Sequence, residues 1–108
     1  MNTEATTLQS LFKRIPRRHT LENVKDIYSI LNEYEDLLIT IEAINPFYEK
    51  NIPAFFEELE AVRTTIKKST DNKASKKLKD SLFDEGSGNL KDSMQALIDV
   101  YADGNRTA

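Results

Sequence analysis

Between residues 20 and 44 the apolar positions Val24, Ile27, Leu31, Tyr34, Leu38 and Ile41 recur at intervals of 3, 4, 3, 4 and 3. That spacing puts all six side chains on one face of an α-helix and predicts a long helix over about residues 20–44. Thr20 suits the N-cap, and Glu22 supplies a negative charge in the first turn, where the helix dipole favours it. Asn45-Pro46 closes the pattern, because a residue before proline is pushed out of the helical region. At about 1.5 Å per residue such a helix is a rod of about 36 Å.

Shorter stripes flank it. Leu8, Leu11, Phe12 and Ile15 predict a first helix over about residues 4–14, ended by Pro16. Pro46 and Pro53 bracket Phe47-Tyr48, an apolar corner with room for one helical turn. Pro53 fits the first position of a helix, where its missing N–H costs nothing, and Ile52, Phe55, Leu59, Val62 and Ile66 repeat at 3 and 4 behind it. The stretch KKSTDNK (67–73) has no apolar residue, so the pattern fits a break near residues 69–72 as well as a continuous helix. Ala74, Leu78, Leu82 and Phe83 resume a stripe. DEGSGN (84–89) is expected to be a loop whose Asn89 caps a last helix with the face Leu90, Met94, Leu97 and Tyr101. Asp103-Gly104-Asn105 is expected to end that helix, with the final residues frayed. The prediction is an all-α fold: a compact antiparallel bundle of four to five helices, one of them long and central, in a single domain over residues 1–108.

Composition narrows the chemistry. The 108 residues include no Cys and one His, which excludes thiolate metal sites, disulfides, Cys nucleophiles and any multi-His centre. The net charge is −3, unlike the basic balance usual for general nucleic-acid or membrane-surface binding. No run approaches the roughly 20 apolar residues of a membrane span, and the N-terminus lacks the basic start and apolar core of a secretory signal. A cytoplasmic location and no membrane association are expected.

Catalytic arrangements find no support. His19 follows Arg17-Arg18 in a Pro-containing connection and is expected at the surface, against the start of the long helix. No G-x-S-x-G elbow presents a serine. Gly86-Ser87-Gly88-Asn89 lacks the lysine and the preceding strand of a phosphate-binding loop. Neither an enzymatic activity nor a metal or cofactor is expected.

What stands out is charge segregation and aromatic crowding. Residues 13–18 carry four basic side chains and no acid, residues 63–79 carry seven against Asp71, and residues 33–60 carry eight acids against Lys50. Some of this serves the helix dipoles, as with Lys67-Lys68 near a helix C-terminus. Phe47, Tyr48, Phe55 and Phe56 crowd around the proline corner. The expected function is therefore non-catalytic binding of another protein, as an adaptor, inhibitor or regulatory subunit. Its site is expected to combine Phe47, Tyr48 and Phe56 with the outward acids Glu35, Asp36 and Glu42. The coiled-coil-like 3–4 spacing also suits a homodimer. The alternative, ranked second, is a nucleic-acid-binding regulator using segments 13–18 and 63–79, with Arg17, Arg18, Lys67, Lys68, Lys73, Lys76 and Lys77 as contacts. Small proteins of this length and helix pattern include immunity proteins, secretion chaperones and inhibitors, but no motif here carries a family assignment.

Overall fold

A computed structural model describes residues 3–107, with side chains over residues 4–101. The described residues form five helices and no strand: α1 (Thr3–Arg14), α2 (Leu21–Glu42), α3 (Pro46–Asn51), α4 (Pro53–Ser69) and α5 (Lys76–Thr107). α1 packs on α2 and α5, and α4 packs on the same two, so the four longer helices close a ring in the order α1, α2, α4, α5. Short connections reverse the chain at residues 15–20 and 70–75, and α3 turns it between α2 and α4. The result is the all-α helical bundle that the spacing predicts.

Local chemistry sets the boundaries. The Thr20 hydroxyl accepts the Asn23 N–H at 3.0 Å, capping α2. Asn45 caps α3 by accepting the Tyr48 N–H at 3.1 Å, and Pro46 and Pro53 occupy helix starts. The chain does break after α4. Thr70 Oγ1 donates to the Lys67 carbonyl at 2.7 Å and Asp71 Oδ1 accepts the Lys73 N–H at 2.9 Å, so short polar side chains compete with continued helix. Ser75 then caps α5 by accepting the Leu78 N–H at 3.1 Å.

The predicted stripes form the core. Ile27, Leu31, Tyr34, Leu38 and Ile41 of α2 are buried, as are Phe55, Leu59, Val62 and Ile66 of α4 and Leu90, Met94, Leu97 and Tyr101 of α5. Ile30 and Leu37 are buried too, because α2 packs against both α1 and α4 and needs a wider apolar face than one seam. Across the ring, the Tyr34 and Ser93 hydroxyls share a buried hydrogen bond of 3.1 Å between α2 and α5. The stripe expected over residues 74–83 is only partly realised. Ala74 precedes α5, and Leu78 in its first turn is exposed, while Phe83 is fully buried.

One expectation fails outright: residues 84–89 are not a loop. α5 passes through them unbroken, Asn89 lies in mid-helix and caps nothing, and neither Gly86 nor Gly88 has a positive φ. Gly86 is there for space. A Cβ built on it would lie 2.6 Å from Ile66 Cδ1 and 3.1 Å from Ile66 Cγ1, so its bare backbone lets α5 press against α4. Each glycine costs a helix interior about 1 kcal/mol relative to alanine, and packing on α4, the most extensive helix pair of the fold, offsets that weakness. α5 also continues past the expected stop at residues 103–105 to Thr107. The fraying expected of the last few residues falls where side chains, and Ala108 as a whole, lie outside the described residues.

The two glycines therefore respond oppositely to substitution. Gly88 has nothing within 4 Å of a built Cβ. Gly88→Ala gains about 0.5–1 kcal/mol of helix propensity and raises the thermal midpoint. Gly86→Leu forces Ile66 from its site and costs about 1–3 kcal/mol. Thermal unfolding followed by circular dichroism reads both, and a loop at residues 84–89 would tolerate the leucine.

Burial pushes the Tyr34 hydroxyl well above the ordinary range, with the Ser93 hydrogen bond acting against the shift, and raises Tyr48 in the same direction. A folded-state value above the unfolded one means a contribution to stability that is whole below about pH 10 and lost as pH rises beyond it. Alkaline titration should show buried tyrosines ionising together with loss of helicity, and Tyr34→Phe should blunt that coupling. Complete tyrosine ionisation near pH 10 with the helices intact would contradict this.

Candidate functional site

The proline corner separates its aromatic residues sharply. In a helix, neighbouring side chains point about 100° apart, and α3 sends Tyr48 inward and Phe47 outward. Tyr48 is buried, stacks on Tyr101 with ring centroids 5.4 Å apart, and donates its hydroxyl hydrogen to the Tyr101 carbonyl at 3.2 Å. It is a core residue that ties the corner to α5, not a surface anchor. Phe56 is half-buried against the same core. Phe47 alone of the three presents an exposed face, its ring edge-on to Tyr48 at 5.3 Å.

Two residues outside the sequence prediction replace the lost aromatics. Ile39 is 55% exposed and Ile44 46% exposed, and with Phe47 they are three of the five large apolar residues that stand exposed among the described residues. Ile39, Ala43 and Pro46 line a shallow depression of about 530 Å³ together with Glu42, Asn45 and Glu49. Ile39 was detectable in principle, since it lies off the 3–4 stripe of α2 and so belongs to the polar face. Glu42 and Glu49 form an acidic rim, and exposed Asp36 stands one turn before Ile39. Glu35 has a different role. It accepts a hydrogen bond from Arg63 at 3.2 Å, and Arg63 also reaches Asn32 at 3.0 Å and Glu60 at 3.1 Å, pinning α2 to α4.

The opposite end of the bundle collects the predicted basic residues. Arg17, Arg18, His19 and Thr20 of the first connection line one depression with Lys76 and Asp80 of α5, which brings segment 13–18 against the start of α5. Arg17 pairs with Asp84 at 3.5 Å. Lys67 and Lys68 occupy the last turn of α4, and Lys73 lies in the connection that follows, all exposed. Lys77 is exposed beside Lys76 at the start of α5. Arg63, bound in its α2–α4 cluster, belongs to the middle of the molecule.

His19 is less exposed than expected. Its side chain is 18% exposed, its Nδ1 lies 3.7 Å from Asp80 Oδ1 and its ring meets Phe83 edge-on at 5.6 Å, so it packs on α5, beside the Thr20 cap of α2. Ser87 Oγ is buried on α5 with no hydrogen-bond partner. Among the described residues no three carboxylate or imidazole groups gather in one place, and no helix is long and apolar enough to cross a membrane. No family model, curated protein or solved structure gives a significant match to the chain.

The Arg63 cluster is open to a direct check. Arg63→Ala leaves the half-buried Glu35 without its cationic partner and should cost about 1–2 kcal/mol in denaturant unfolding. A Glu35→Gln, Arg63→Met pair should recover part of that loss.

Proposed function

We propose that this chain is a non-catalytic helical protein that binds another protein through the corner formed by the C-terminal end of α2 and the start of α3. The partner surface carries apolar side chains set among lysines or arginines. The observation that supports this is exposed Ile39 in a depression edged by Glu42 and Glu49, with Ile44 and Phe47, exposed too, next in the chain to its lining residues Ala43, Asn45 and Pro46. Exposed apolar groups framed by polar ones mark interaction surfaces, and aromatic and aliphatic anchors carry most of the binding energy at such sites.

The acidic rim selects the partner. Two copies of this chain joined by this face would oppose Glu42 and Glu49 to their own counterparts, and like charges across an interface cost affinity. A basic frame on a different protein removes that repulsion and speeds encounter. An adaptor, inhibitor or regulatory subunit each needs only such a surface, held rigidly by the bundle behind it.

Substituting Ile39→Asp and Phe47→Ala tests the proposal with little disturbance of the core, since Ile39 is more than half exposed and Phe47 gives up only its edge contact with Tyr48. The double variant should keep its helicity and thermal midpoint while losing about 2 kcal/mol of binding, roughly thirty-fold in Kd. Retention of a host protein by the natural chain, its loss with the variant, and weakening by salt are the expected results. Capture that survives both substitutions overturns the assignment of this face. A concentration-dependent dimer abolished by the same variant would make the partner a second copy instead.

A further inference from the structure

We infer that the basic end of the bundle is a second interface, a docking surface for the phosphate backbone of a nucleic-acid duplex that does not read base sequence. It is independent of the corner and rests on different residues. Segments 13–20 and 67–80 lie far apart in the chain, and the antiparallel fold brings them to one end of a body 49 Å long and 23 × 18 Å across. Together they hold ten lysines and arginines against Asp71 and Asp80. Arg14 is paired with Glu33 and Arg17 with Asp84. Among the described residues the other eight, Lys13, Arg18, Lys67, Lys68, Lys73, Lys76, Lys77 and Lys79, have no carboxylate within 4.0 Å.

Folding accounts for only some of these charges. Lys67 and Lys68 end α4, where a helix dipole favours cations. Lys76, Lys77 and Lys79 crowd the first turn of α5, which has no acid in it, and there the dipole opposes them. Three cations placed against the local field, among eight basic groups without a carboxylate partner, call for an external polyanion.

The choice of duplex follows from what surrounds the charges. A protein interface of this size has an apolar centre, whereas among the described residues this end exposes only two large apolar side chains, Leu21 and Leu78, against ten basic ones. Single strands bind by stacking on aromatic rings, and Phe83 is buried while Phe12 is half-buried beneath Lys91. A duplex presents one charge per about 1.7 Å of axis with both strands counted, so a length matching this face carries about a dozen phosphates, roughly half of them on the facing side. A rigid, dense array of free cations meets that demand without touching a base edge.

The test is binding of a short labelled DNA duplex by the full chain, followed by fluorescence anisotropy between about 50 and 200 mM salt. If about five of the eight cations meet phosphates, log K falls against log salt with a slope of about −4 to −5. A duplex of scrambled sequence should bind equally well. Arg18→Gln, Lys76→Gln and Lys77→Gln together should weaken binding at least about tenfold and make the slope shallower by about 2–3. The same variant should melt no lower than the natural chain, since it relieves the charge conflict at the start of α5. Lys50→Gln, on α3 at the other end, should change nothing. No binding at the lowest salt, or equal binding by the triple variant, overturns the proposal. Preference for polyglutamate or for phosphatidylserine–phosphatidylcholine vesicles over the duplex also overturns it, in favour of an acidic protein or a membrane surface.

Discussion

The close approach of Gly86 to Ile66 is the contact on which the rest of the molecule depends. It lets α5, one helix from Lys76 to Thr107, lie closely against α4, with which it makes the most extensive helix pair. A side chain at position 86 would have to displace the Ile66 side chain, which is wholly buried. A turn there would split α5 into two segments with separate directions. Such a split would uncouple the ends of the bundle, because α5 delivers Lys76 to one end and Tyr101 to the other. Tyr101 in turn supports Tyr48, and Tyr48 braces the short helix that exposes Phe47. The corner surface is thus held from below by α5, whose close packing on α4 uses the space left by the missing side chain of Gly86.

A net charge of −3 conceals how unevenly that charge is arranged. Residues 42–60, around the corner, hold five acids and one lysine, while the opposite end carries the surplus of cations. Part of this polarity is helix chemistry, since Glu4 and Glu22 sit in first turns and Lys13, Arg14, Lys67 and Lys68 in last turns. Antiparallel packing alternates those preferences around the ring, so dipole effects alone would put both signs at each end. At the basic end the second half of that rule is not followed. α5 begins with lysines where acids would stabilise it, and the charge there opposes the local field without neutralising it. The helix is held in spite of this by the Ser75 cap and by Phe83, buried about two turns further on.

The elements were legible from sequence wherever the determinant is local. Thr20, Asn45, Pro46 and Pro53 act on backbone groups within a few residues, so reading the chain in order finds them. The long stripes of α2 and α4 were legible for a related reason, since eleven or more residues define a face. Gly86 was not, because its role is set by Ile66 on another helix, and a glycine that makes room looks identical in sequence to one that makes a turn. The six residues of α3 contain too little periodicity to tell Phe47 from Tyr48, and which of them points inward is decided by the position of Tyr101 at the far end of α5. Ile39 carried a signal in its departure from the stripe of α2. It was outweighed by the aromatic residues nearby, whose size made them the more prominent candidates and whose size is also why two of them are needed inside.

The two proposed interfaces are linked by geometry more than by energy. From Lys76 to Tyr101 along α5 the separation is about 38 Å, several Debye lengths at physiological salt, so a ligand's charge at one end is screened from the other. Neither end lies on a hinge: the helices between them are joined by a continuous core with a buried Tyr34–Ser93 hydrogen bond at its centre. Coupling between sites requires an element with two arrangements that both ligands bias, and a bundle locked along one unbroken helix supplies none. Occupancy of the two ends is then independent, and the molecule acts as a spacer. It holds an apolar, acid-framed surface at a set distance from a cationic one, and the length of α5 sets that distance.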